Sequence, residues 1–463
     1  MTYVPESDRG AAAKGRAILS ADMWIPKERF TNPAAILRMS TLQSISSRPG
    51  GGVVAQLARE EPHHIVMGRH LHADWTDRVP SWDVVELESA WERVNFGDRI
   101  QTRGAEQERA WEALLRANNG ILNLACGKGK TVLALKKIAQ RGVPAIVIVN
   151  NEGLIDQWRD RALEFLGLRE DQIGVVQGTK AQWDRPLVLA MIHTLANRAA
   201  DLPMAIRQRF GTVVFDEVHH LAASTFLKTA PLFYGARYGL TATLAREDGL
   251  EQAYYAHVGE PFFSDLAGEL TAQVYFQRMD FALPDNAAEM TDRTGEFSIG
   301  KLYTYLGGLE ARNLRIVQMV QEALESGRKM LVLSHSADHP AALRDMMDRT
   351  YPGHKWVIGT VSGATPGPQR VPIIRDAHVT FATTQVAREG LDVSALDTLL
   401  FVTPFKTWGV MQQGKGRIER RHAGKLDPIV VVLDDYGIGP AHAMCRTMRR
   451  LVQQHGHHYV DIR

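Results

Sequence analysis

From about residue 118 onward, short, mainly apolar runs alternate with longer stretches whose apolar residues recur every three to four positions. The runs at 121–124, 145–149, 188–191, 212–215 and 237–240 form one series. A second series follows at 330–334, 356–359, 378–383, 399–403 and 429–433. A strand that is apolar on both faces must be covered on both, so each run predicts a buried strand of a parallel sheet flanked by helices. Two series predict two α/β lobes, over 96–262 and 263–463. The stretch 259–280 reads as the crossover between them, and the polar segment 285–298 as a loop or insertion. Residues 1–95 lack this alternation, and the glycines at 50–52 mark a turn within them. They are expected to form a small separate α+β accessory domain.

Composition narrows the setting without changing this outline. A chain of 463 residues with 45% hydrophobic and 23% charged positions has room for about two to four domains. Cys126 and Cys445 are the only cysteines and form no CxxC pair, so no disulfide framework is available and a reducing cytoplasm is the expected compartment. The first residues lack the apolar core of a signal peptide, and no stretch approaches the ~20 apolar residues of a membrane span. A net charge of only +2 means that any nucleic-acid contact must rest on local basic surface.

The chemistry concentrates in a few places. The run at 121–124 leads into Ala-Cys-Gly-Lys-Gly-Lys-Thr at 125–131, followed by a helical pattern. In that context Gly127, Lys128 and Gly129 form a loop whose N–H groups cradle phosphate. Lys130 reaches the β/γ-phosphates, and Thr131 offers its hydroxyl to Mg²⁺. Leu124 stands where the strict phosphate-loop pattern has glycine, and a plain tight turn is the alternative. A second run, at 212–215, ends in Asp216-Glu217-Val-His219. Asp216 suits a Mg²⁺ shell and Glu217 the activation of water; a strand capped by two carboxylates is the plainer reading. The histidine pairs 63–64, 219–220 and 457–458 have no HExxH spacing or cysteine set, so zinc is not expected.

Taken in order, ACGKGKT at 125–131, DEVH at 216–219, GLTAT at 239–243, TTQVAREGLD at 383–392 and QGKGRIER at 413–420 resemble the motifs of superfamily 2 helicases. The runs TATLAREDG at 241–249 and VNNEGLIDQW at 149–158 look like the DExH-type XPB/UvsW branch, whose nearest look-alikes are bacteriophage and poxvirus enzymes. The superfamily's phosphate loop does not require glycine at position 124. The resemblance implies two tandem RecA-like lobes with ATP and Mg²⁺ between them. It gives Gln413 the γ-phosphate, Arg417 and Arg420 the part of arginine fingers, and His219, Thr241 and Thr243 the coupling of nucleotide state to movement. Gln107 becomes a candidate adenine reader, while Gly390 and Asp392 face the nucleotide. Gln157, Trp158, Arg246, Thr383 and Thr384 become candidate nucleic-acid contacts. The implied partner is duplex, forked or junction DNA, with a nuclease or recombination protein as a further candidate partner and a monomer as the expected state. A DExH RNA helicase and the motor of a restriction or defence complex remain alternatives. Basic and aromatic residues at 24–27 and 63–72, and Arg446, Arg449 and Arg450, are candidate substrate contacts or ordinary core and surface.

Overall fold

The computed structural model describes residues 16–43, 54–71, 84–86, 91–244, 249–267, 270–282, 290–291, 297–388 and 393–463. The chain divides into two compact units, Met1–Leu266 and Ala267–Arg463. Among the described residues no helix is long and apolar enough to cross a membrane.

The first unit is built on an eight-stranded sheet. Its order is Lys180–Ala181, Ile173–Gln177, Leu187–Met191, Ala145–Val149, Thr212–Asp216, Ala236–Thr241, Gly120–Leu124 and Pro261–Asp265. Every pair is parallel except the short hairpin at Lys180–Ala181. The central strands show why the runs are apolar throughout. Ile146 and Ile148 enter the core on one face, while Ala145, Val147 and Val149 enter the core on the other. Successive side chains point to opposite faces, so a strand covered on both must be apolar at every position. Fully burying each such side chain contributes ~1.5–3 kcal/mol.

Three expectations need correction. The stretch 259–280 is not a bare crossover. Pro261–Asp265 is the last strand of the first sheet, paired with Gly120–Leu124, and Gln273–Met279 is a strand of the second sheet, paired with Ile429–Asp435. The boundary therefore falls after Leu266 rather than after residue 262. These strands are only partly buried or alternate in burial, which breaks the continuous apolar signal. The run at 356–359 becomes a strand two residues later, at Ile358–Val361, because its register is set by Val379–Thr383; Trp356 stays outside it and stacks on His354.

The third correction concerns the N-terminal segment. It does form its own five-stranded sheet, ordered Ala58–Glu60, His64–Met67, Met23–Pro26, Ala17–Leu19 and Val84–Glu86, with the helix Pro33–Met39. It is nevertheless docked into the first unit rather than separate. Arg69 donates to the carbonyls of Tyr234 and Gly235 at 3.1 and 3.0 Å. Arg237, with no exposed surface, donates to the carbonyls of Ala21, Phe233 and His257. A Cβ on Gly68 would lie 2.3 Å from the carbonyl oxygen of Ala256, so only glycine permits this approach. Trp24 is buried within the small sheet beneath Arg59, not displayed on its surface.

The second unit carries a wholly parallel seven-stranded sheet. Its order is Ile358–Val361, Val379–Thr383, Met330–Ser334, Thr398–Phe401, Ile429–Asp435, Gln273–Met279 and Tyr459–Ile462. Two apolar clusters cover its faces, Leu331 and Leu333 belonging to one and Met330 and Val332 to the other. A fully buried ion pair crosses this core: Arg312 grips Asp435 through two hydrogen bonds of 2.6 and 2.9 Å, and also donates to the carbonyl of Val402.

Candidate functional site

The strands Thr212–Asp216, Ala236–Thr241 and Gly120–Leu124 are neighbours, with Asp216 opposite Leu240 and Thr241 opposite Asn123. Their C-terminal ends therefore share one edge of the sheet, the place where open parallel sheets bind ligands. From Leu124 the chain turns through 125–129 and enters the helix Lys130–Arg141. Gly127 and Gly129 have φ of 87° and 83°, a region that disfavours any side chain. A Cβ on Gly129 would also lie 2.3 Å from the Gln107 amide nitrogen.

The two loop lysines behave differently. Lys130 lies at the start of the helix and donates to the carbonyls of Leu124 and Ala125 at 2.8 and 3.3 Å. Lys128 instead places its ammonium between Asp265 and Glu106, at 2.9 and 2.8 Å, so that side chain braces the loop and is not aimed at a phosphate. Gln107 is fixed against the same loop. Its carbonyl accepts from the Arg103 N–H at 2.6 Å, and its amide donates to the Lys128 carbonyl at 3.2 Å.

Asp216 closes its strand, and Glu217 follows with φ 48° and ψ 56°, the sole non-glycine with positive φ among the described residues. Such a left-handed turn costs of order 1–3 kcal/mol and persists only where the surroundings enforce it. Asp216 accepts the Glu217 N–H on Oδ1 at 3.0 Å and the Trp158 indole N–H on Oδ2 at 2.8 Å. Burial and the neighbouring Glu217 charge push its carboxyl up to about 6, against the pull of the Trp158 hydrogen bond and the Lys130 ammonium. Beside it, His219 Nδ1 lies 3.1 Å from the Thr241 hydroxyl, 3.4 Å from that of Thr243 and 3.5 Å from Glu217 Oε2. The Thr241 hydroxyl also lies 2.9 Å from the Thr243 carbonyl oxygen. The three residues expected to couple nucleotide to movement thus meet at one point.

One predicted contact is overturned. Trp158 has no exposed surface, and its single polar atom is committed to Asp216, so its side chain does not lie against a nucleic-acid backbone. Gln157, one residue earlier on the helix Glu152–Leu166, is half-buried. In the second unit Gln413 and Arg417 lie on the helix Trp408–Ile418, and Arg420 follows its end. Thr383 closes a strand and Thr384 opens a short helix, at 8% and 5% exposure, so each presents little side-chain surface. Arg246, Gly390 and Asp392 lie outside the described residues.

Sequence reasoning missed two arrangements. One is the Trp158–Asp216 bond, for which the motif that contains Trp158 gave no signal. The other braces the helix Trp408–Ile418: the buried ammonium of Lys415 pairs with Glu419 at 2.8 Å and lies 3.2 Å from His457, while Glu419 accepts the Ala272 N–H at 2.9 Å. The i,i+4 spacing of Lys415 and Glu419 was visible in the sequence.

The oxygen donors of Thr131 and Asp216 suit Mg²⁺, and among the described residues no cluster of three or more histidine, cysteine or carboxylate side chains is poised for another metal. That sparse protein set fits an ion held largely by phosphate and water. Strand, glycine loop, helix and acidic pair on one sheet edge are the arrangement that P-loop nucleoside triphosphatases use.

Residues 100–246 match the family described as type III restriction enzyme, res subunit. The chain is 26% identical over 324 residues to "Probable helicase D10" of Escherichia phage T5, covering 68% of this chain and 67% of that protein. It is 31% identical over 178 residues to "DNA 3'-5' helicase XPB" of Kineococcus radiotolerans, covering 38% of this chain and 32% of that one. Among solved structures, S. cerevisiae Dbp5 bound to RNA and ADP BeF3 superposes with a TM-score of 0.55 at 13% identity, covering 77% of this chain and 88% of that one, a likeness of fold. The chain therefore spans about two thirds of the phage relative and a third of the XPB relative. Over these stretches the chain is similar to helicases of the phage and XPB kind.

Proposed function

We propose that this chain is an ATP-dependent DNA translocase with helicase activity that moves on duplex, forked or junction DNA and remodels branched structures by fork reversal, branch migration and short-range unwinding. One observation carries the reading. Lys130, Asp216 and Glu217 share a sheet edge, and Glu217 lies 3.5 Å from His219, which meets Thr241 at the end of the neighbouring strand and Thr243 just beyond it. That is an NTP site with a built-in mechanical link. The name of the XPB relative, a DNA 3'-5' helicase, supports DNA as the track.

In this reading Lys130 holds the β/γ-phosphates, and Thr131 and Asp216 hold Mg²⁺, which neutralises phosphate charge when bound. Glu217 orients the attacking water and takes its proton. Gln413 senses the γ-phosphate, and Arg417 and Arg420 stabilise charge on the transferred group. Gly127 and Gly129 let backbone N–H groups approach the phosphates, Gln107 lies toward the base, and Gly390 and Asp392 complete the nucleotide contacts. Gln157, Arg246, Thr383 and Thr384 serve the track, and the N-terminal sheet recognises the branched substrate. The chain works as a monomer, with a nuclease or recombination protein as an occasional partner.

A second reading is favoured by the restriction-subunit family match: a motor that moves DNA for a nuclease carried on another chain. The experiment that tests both is steady-state ATP hydrolysis with duplex DNA, single-stranded DNA, a four-way junction or duplex RNA. Strongest stimulation by the junction supports branch remodelling. Strongest stimulation by unbranched duplex, without branch migration, favours the restriction-type motor. Stimulation by RNA alone overturns the DNA assignment.

A further inference from the structure

We propose that Trp158 is a positioning residue of the ATP site, its indole N–H holding the Asp216 carboxylate in the orientation that receives the metal–nucleotide; this rests on the reading of the site given above. A tryptophan with no exposed surface needs a partner for its N–H. Here the partner is not a backbone carbonyl but Oδ2 of the strand-end carboxylate, at 2.8 Å. The other oxygen, Oδ1, accepts the Glu217 N–H at 3.0 Å. With one donor on each oxygen, from two different segments, the carboxylate plane cannot rotate without breaking a bond. Each oxygen still has a lone pair for a cation. A charge-assisted hydrogen bond of this kind is stronger than a neutral one and fixes geometry in advance of binding.

The bond also has a direction along the chain. Trp158 is on the helix Glu152–Leu166, which follows the strand Ala145–Val149 next to that of Asp216. On that helix Leu154, Ile155, Trp158, Ala162 and Leu166 face the core, so the indole is anchored in a rigid apolar row. Gln157 and Arg159, its immediate neighbours, are half-buried rather than enclosed.

Trp158→Phe keeps an aromatic ring and removes only the donor. Benzothienylalanine placed at position 158 replaces the N–H by sulfur at almost constant shape, and serves if the phenylalanine variant is poorly folded. The measurements are Mg²⁺ titrations of ATP hydrolysis, and Mn²⁺ binding in the presence of a non-hydrolysable ATP analogue, read by electron paramagnetic resonance. The expected result is a metal half-saturation raised about tenfold in both assays, the scale of one hydrogen bond to a charged group. Affinity for the metal-free analogue should be unchanged. A variant that melts at lower temperature but keeps the wild-type metal half-saturation would show a merely structural tryptophan and overturn the proposal. Wild-type protein without Mg²⁺-dependent hydrolysis would instead overturn the reading of the site itself.

Discussion

At Glu217 the backbone leaves its strand through a left-handed turn, and a non-glycine residue held there is aimed by its surroundings rather than by its own preference. Glu217→Gln keeps the shape and removes the base. Hydrolysis should fall by ~10²–10⁴-fold, the usual share of general base catalysis. Affinity for a fluorescent ATP analogue should stay near wild type, and normal turnover would exclude Glu217 as the base. Arg420→Ala is expected to lower hydrolysis by ~10³-fold or more with little change in nucleotide affinity. A selective loss of DNA binding in that variant would move Arg420 from the nucleotide to the track. Both residues stand out in the sequence because the chemistry expected of them demands a short motif. Trp158 was misread because the same motif that names it gives no indication of which side of the helix it occupies.

Individual strands were legible in proportion to how completely they are buried. The runs at 145–149 and 330–334 were bounded to the residue, since each is covered on both faces. Pro261–Asp265 at the sheet edge and the alternating Gln273–Met279 were hidden for the converse reason. The docking of the N-terminal sheet had no sequence signal at all. It depends on Arg237, whose guanidinium reaches carbonyls of three segments far apart in the chain, beside the buried Asp22. Arg237→Leu leaves those buried carbonyls without their donor, while Asp22 keeps its ion pair with Arg59 at 3.1 Å. Leaving buried acceptors unsatisfied should cost ~1–3 kcal/mol. Urea denaturation would report it, and proteolysis within residues 1–95 should accelerate in step. An unchanged midpoint would mean that the small sheet is held by its apolar contacts alone.

For the molecule as a whole, the buried histidines set a limit on acid stability. His339 sits in the core of the second unit, bonded to Ser334 at 3.0 Å and Asn313 at 2.9 Å. Burial, with the Arg312 charge adding to it, lowers its pKa from 6.5 to about 3. A folded value below the unfolded one means that its stabilising contribution is complete above about pH 6.5 and is lost as the pH falls toward 3. At pH 5 this histidine alone should reduce stability by ~2 kcal/mol. The melting temperature should therefore drop between pH 7.5 and 5, and His339→Asn should start lower but decline less steeply. An equally steep decline in that variant would assign the acid sensitivity to other groups.

The sequence alone determined the two parallel-sheet units, the glycine-rich turn after the strand Gly120–Leu124 and the acidic pair that closes the strand Thr212–Asp216, because each depends on local periodicity or on residue types at fixed spacing. Tertiary structure decided which side chains that chemistry leans on. The bond from Trp158 to Asp216, the bracing of Lys128 by Asp265 and Glu106, the meeting of His219 with Thr241 and Thr243, and the merging of the N-terminal sheet with the first lobe all join segments separated along the chain or select one side of an element. Such contacts are set by packing and by the need to satisfy buried polar groups, and neither leaves a periodic trace in the order of residues.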